Sequence, residues 1–72
     1  MTVSEKLHPP IKYAANGAPI IAMKFDSVDS RRVLCLWGTE YVIWRMDLES
    51  RQCESGRYFS DFDKAAAEFA KY

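Results

Sequence analysis

Net charge, histidine and long apolar runs are what this 72-residue chain lacks. Ten basic residues balance ten acidic ones, and there is one histidine. A balanced charge removes the usual basis for bulk capture of nucleic acid or anionic membrane, though a local patch remains open. No apolar run approaches the ~20 residues of a bilayer span. The opening Met-Thr-Val-Ser-Glu-Lys lacks a positive stretch leading into an apolar one, so it does not read as a secretory leader. With two cysteines, that points to a cytoplasmic protein with free thiols.

The same scarcity limits chemistry. Cysteine catalysis needs a thiolate beside an imidazole. His8 lies in a Pro-rich arm, and Cys35 lies mid-strand on an expected core face, where thiols are inert packing groups. Cys35 and Cys53 with one histidine make a poor ligand set, so no metal and no cofactor are expected. A Cys35–Cys53 disulfide is disfavoured because a strand at ~4.8 Å spacing should lie between them. The carboxylate pairs Asp47/Glu49 and Asp61/Asp63 sit where turns and helix starts want acids. There is no phosphate loop, nucleophile elbow or dinucleotide fingerprint. The chain is therefore read as non-enzymatic.

What is present is apolar and aromatic: 49% hydrophobic and 14% aromatic residues, enough for a folded core and too much for a disordered chain. Charge is mildly uneven. Residues 1–36 carry five basic and three acidic groups, and residues 37–72 carry five basic and seven acidic. Residues 1–10 read as an N-terminal arm, with His8-Pro9-Pro10 favouring extended backbone, and residues 11–72 as one domain. Ile11–Ala15 reads as a short edge strand or a helical turn, and Asn16-Gly17 after it as a tight hairpin turn in preference to a helix stop. In Ile20–Asp26, Ile21, Met23 and Phe25 alternate with Ala22, Lys24 and Asp26, which is strand periodicity.

The run Arg32–Arg45 is a hairpin in its own right. Two β-branched and aromatic stretches flank Gly38-Thr39, a Gly-first pair that fits a type II′ turn. Gln52–Phe59 reads as a further strand weakened by Gly56. Asp61–Tyr72 reads as a helix capped by Ser60, with Phe62, Ala65, Ala66 and Phe69 on one stripe. The expected fold is α+β: an antiparallel meander of four or five strands with one C-terminal helix across one face.

The turn fixes the pairing and so the faces. One holds Val33, Cys35, Val42 and Trp44, flanked by Trp37 and Met46; its larger apolar payload makes it the expected helix side. The other holds Leu34, Leu36, Tyr41 and Ile43, with Arg32 and Arg45 at its end. Pairing Met46 with Cys53 would place Tyr58 beside Tyr41 and Glu54 near Arg45. An apolar centre with a charged rim is how interfaces are built, so Leu34, Leu36, Tyr41, Ile43, Tyr58, Arg32 and Arg45 form the expected partner-binding surface. The occupant would be another protein, a second copy, or the chain's own Val3, Leu7, Ile11 and Tyr13. The competing reading is a nucleic-acid-binding sheet, with Tyr41 and Tyr58 stacking bases and Arg32, Arg45 and Arg57 holding phosphates.

Tyr41-Val42-Ile43-Trp44, Gly56-Arg57-Tyr58-Phe59, Ala66 and Phe69 together resemble short uncharacterised prokaryotic and phage proteins. Those carry a Tyr-Val-x-Trp strand, then Gly-x-Tyr-Phe, then an Ala/Phe helix. The resemblance covers the C-terminal half and implies the fold. A compact, neutral chain without a cofactor suits an inhibitor or adaptor acting on a larger protein. The phage side of the resemblance makes an anti-defence inhibitor such as an anti-CRISPR one concrete version of it. The resemblance transfers no site residue.

Overall fold

The structure is a computed structural model that describes residues 11–72. Four strands, β1 (Ile20–Ser27), β2 (Ser30–Trp37), β3 (Glu40–Asp47) and β4 (Cys53–Phe59), are followed by one helix, α1 (Phe62–Phe69). The strands pair antiparallel in the order β1-β2-β3-β4, a simple meander. The α+β architecture read from the sequence is therefore the observed one. Upstream, Tyr13 makes an isolated antiparallel bridge to Pro19, so the fifth strand shrinks to one pair. The expected arm, residues 1–10, lies outside the described residues, and so does the expectation that Val3 and Leu7 cover a sheet face.

The β2–β3 register agrees pair by pair with that dictated by Gly38-Thr39, from Trp37↔Glu40 to Ser30↔Asp47. Gly38 takes φ 66° while Thr39 stays out of the left-handed region, as a type II′ turn demands. Asn16-Gly17 also turns the chain: Gly17 N–H donates to Ala14 O and Ala18 N–H to Asn16 Oδ1.

The faces are covered the other way round from the sequence expectation. Helix α1 lies on the Leu34/Ile43 face, where Leu34, Ile43, Ala65 and Phe69 form a buried cluster with Ala22, Tyr41 and Phe59 against it. The Val33/Cys35/Val42/Trp44/Met46 face is covered by the strap 11–19, through Ile11, Ala14 and Ala18, with Ile20 of β1 packed beside them. Larger payload was the wrong criterion. Trp44 and Met46 stand tall, and a thin strap of alanines can lie over them. The shallower face, floored by Ala22, admits the wider helix.

A β-bulge completes the reason. Ile43 pairs with Arg57 and Arg45 with Glu54, so Trp44 opposes both Ser55 and Gly56. The extra residue inverts the alternation downstream. Phe59, opposite Tyr41, now faces the helix, and Tyr58, opposite Val42, faces the strap. Ser55 takes φ 60°, and a Cβ on Gly56 would stand 2.7 Å from Trp44 Nε1, so the missing side chain makes room for the indole.

The helix is capped by Asp61 rather than Ser60. Asp61 is extended (φ −112°, ψ 125°), and its carboxylate accepts the Lys64 N–H at 3.1 Å. Of the expected apolar stripe, Ala65 and Phe69 are buried, whereas Phe62 is 42% exposed and meets Tyr41 edge-on at 5.3 Å. The last turn of α1 carries no basic residue. Lys24 of β1 supplies the cation instead, its ammonium donating to Phe69 O at 3.0 Å and Tyr72 O at 3.1 Å.

Candidate functional site

The residues expected to form an open docking surface do not form one. Leu34 and Ile43 are 2% and 0% exposed beneath α1. Tyr41 is half-buried against Phe62, and Leu36 is left at the margin, 38% exposed. Tyr58 lies on the opposite face.

The two rim arginines are consumed inside the chain. Arg32 opposes Arg45, a like-charge pair that needs an acid between its members. The register alone offers Glu54, beside Arg45. Glu54 does stand opposite Arg45, but at 3.9 Å, whereas Asp26 bridges the pair more closely, 3.3 Å from Arg32 and 3.2 Å from Arg45. Asp26 gets there through a register shift: Phe25 pairs with Arg31 and Ser27 with Ser30, so Asp26 is an extra residue aimed across the helix side. Ser30 Oγ donates to the same carboxylate at 2.6 Å. That hydrogen bond, seconded by the two guanidinium groups, holds the Asp26 carboxyl below the ordinary carboxylate range against the opposing pull of burial. Arg32 also lies over the Tyr72 ring, 4.4 Å from its centroid.

The polar groups elsewhere are structural. A cavity of about 420 Å³ opens between the β1–β2 and β3–β4 connections, with Ser27, Arg45, Asp47, Gln52 and Cys53 in its walls. Arg45 is tied to Asp26 there. Asp47 accepts from the Ser50 N–H, the Ser50 hydroxyl and the Glu49 N–H, which depresses its pKa and closes the turn. Burial pushes the Cys35 thiol up to about 12, seconded by nearby Cys53, and burial also raises Cys53. Both cysteines are free, with β3 between their strands as the meander requires. Among the described residues no three His, Cys, Asp or Glu side chains group to hold a metal, and no helix is long and apolar enough to cross a membrane.

What remains exposed and apolar lies chiefly on the strap side, in two places. The first is an aromatic ridge. Trp37 and Tyr58 are 43% and 55% exposed, and each packs edge-on against buried Trp44, at 6.0 Å and 69° and at 6.4 Å and 88°. The second is the outer edge of the sheet, where Ile21, Met23 and Phe25 of β1 are 46%, 37% and 69% exposed. Of these five exposed residues, sequence reasoning singled out Tyr58 alone as a contact residue. Trp37 was assigned to the helix side, and the alternation of Ile21, Met23 and Phe25 was visible without showing that their strand would be an edge. Comparison of the chain with protein-family models, with curated proteins and with solved structures found no match. The likeness to phage-type proteins therefore rests on its motif residues alone.

Proposed function

We propose that this chain is a small non-enzymatic protein-binding module, an inhibitor or adaptor that engages a larger protein through the Trp37–Trp44–Tyr58 ridge. The observation that carries the reading is the pairing of two half-exposed aromatics with a buried third that fixes their orientation. Tryptophan and tyrosine dominate interface hot spots because they bring large apolar area at a low cost in side-chain entropy. Rings already braced edge-on lose still less freedom on binding.

A nucleic-acid interface has weaker support. Tyr58 and Arg57, which that reading needs side by side, point to opposite faces of β4. Arg57 is turned to the helix, where it holds Glu68 at 2.6 Å. The residue opposite Trp37 is Glu40, an acid where phosphate would have to pass.

The test is partner capture from the native cell with the full chain and with Trp37→Ala and Tyr58→Ala variants of unchanged far-UV dichroism. The reading expects a protein retained in moderate salt by the parent, with each variant weakened by ~2 kcal/mol, about thirtyfold. Retention that is equal in the variants, or that collapses steeply with added salt and nuclease, refutes it.

A further inference from the structure

Beside the ridge stands a charge that the fold leaves unanswered. Glu40 is directly opposite Trp37 across the β2–β3 hairpin. Tyr58 is opposite Val42, so Glu40 is diagonal to Tyr58 on the same face. Opposed and diagonal positions on one face of a sheet are within reach of long and aromatic side chains. The other acids of the strands are engaged: Asp26 and Glu54 hold Arg45, and Asp47 accepts from Ser50. Glu40 is exposed, and among the described residues no lysine or arginine stands within ion-pair distance of it.

The rings show the same asymmetry. Lys24 lies over Phe69, Arg31 over Phe25, Arg32 over Tyr72 and Arg57 over Phe59, at 5.1, 5.1, 4.4 and 6.0 Å from the ring centroids. Among the described residues no cation lies over Trp37 or Tyr58, although an indole attracts cations more strongly than a phenyl or phenol ring does. We propose that the missing cation is supplied by the partner, which presupposes the ridge as the contact surface: Trp37, Tyr58 and Glu40 seat the guanidinium group of an arginine on the partner protein.

Chemistry selects arginine. A guanidinium is planar, so it stacks on an aromatic face while its N–H groups still donate, in their own plane, to a carboxylate. An ammonium has no face to stack and is more strongly hydrated. An apolar side chain would suit the rings but would strip water from Glu40 without pairing it. A phosphate or carboxylate would meet a like charge. Arginine, tryptophan and tyrosine are also the residues enriched at interface hot spots, and hot spots tend to face one another. Trp44 holds the two outer rings edge-on, so the seat is formed before the partner arrives.

The test needs no captured partner. Nα-acetyl-arginine amide, its lysine counterpart and its citrulline counterpart, which keeps the shape of arginine without the charge, are titrated into isotope-labelled full chain. The Trp37 indole N–H is followed by NMR. The arginine probe should shift it saturably, and the other two should bind roughly threefold more weakly or worse. In Glu40→Gln, which removes the charge at an exposed position, the preference for arginine over citrulline should disappear. The absence of a saturable shift, equal binding of either other probe, or an undiminished preference in Glu40→Gln overturns the proposal. The ridge is judged separately, by partner capture. If Trp37→Ala retains the partner, the ridge itself fails. If Trp37→Ala loses the partner while Glu40→Gln holds it as tightly as the parent, the ridge stands and the arginine seat alone is overturned.

Discussion

Replacing Gly56 by alanine separates two opposed physical effects, and their sum has a sign that depends on Trp44. Gly56 is not in the left-handed region, so its backbone suits any residue. Taken alone, Gly→Ala at such a site restricts the unfolded chain and stabilises by ~0.4–1 kcal/mol. The added methyl, however, would stand 2.7 Å from Trp44 Nε1, 3.0 Å from Trp44 Cδ1 and 2.9 Å from Tyr58 Cε1. Trp44 cannot retreat freely, being 6% exposed and packed against Trp37 on its other side. Overpacking of this kind costs ~1–3 kcal/mol, so the net effect of Gly56→Ala should be destabilising by roughly 1–2 kcal/mol. In a Trp44→Leu background the obstruction is gone and the same substitution should become neutral or stabilising. A domain this size has about 4–11 kcal/mol of stability, which leaves room for both changes. Urea unfolding of the four proteins, followed by far-UV dichroism, gives the coupling energy, expected above the ~0.5 kcal/mol of independent sites. An equal cost of Gly56→Ala in both backgrounds would refute the account of the bulge.

Two other outcomes follow from the same geometry. Leu34→Lys and Ile43→Lys should each unfold the domain or cost more than ~3 kcal/mol, since the charge would be trapped beneath α1; a folded variant altered in binding alone would restore the open-face reading. Asp26 has a folded pKa below its ordinary value of 3.8, so its stabilisation is complete above that pH and disappears as pH falls through the lower folded value. The stability gap between the parent and Asp26→Asn, measured by urea unfolding from neutral to acid pH, should therefore narrow in acid; a gap that widens contradicts the bridge to Ser30, Arg32 and Arg45.

The hairpin was legible because a Gly-first turn leaves one register, and that register sorts eight pairs of side chains without further information. The strands flanking it and the final helix followed from periodicity. The helix's choice of face was not legible by the criterion of apolar bulk, because bulk also decides how thick a cover can be. Tyr58 was misplaced by one position: the pairing Met46↔Cys53 was right, but it was carried past Ser55-Gly56 as though alternation continued. A serine held at φ 60° before a glycine is the kind of pair that absorbs an extra residue, and Gly56 was the available hint. Arg32 and Arg45 stand opposite one another as the hairpin register dictates, a like-charge pair. Their remedy lay in Asp26, whose side-chain direction depends on an irregularity in β1 that composition does not reveal.

The insertion at Ser55 makes the facing of the β4 side chains depend on residue count. Ser55 is the extra residue, so removing it would join Arg45↔Glu54 to Ile43↔Arg57 in unbroken alternation, with Phe59 still on the helix side. Removing a residue elsewhere in β4 would instead turn part of the strand over against β3. Length changes in β4 away from Ser55 should thus be punished far more severely than length changes in the Leu48–Gln52 connection, where only the span between two strand ends must be kept. A lineage could therefore shed the bulge residue and keep both covers of the sheet, but a gain or loss elsewhere in this strand would have to be matched by rebuilding them.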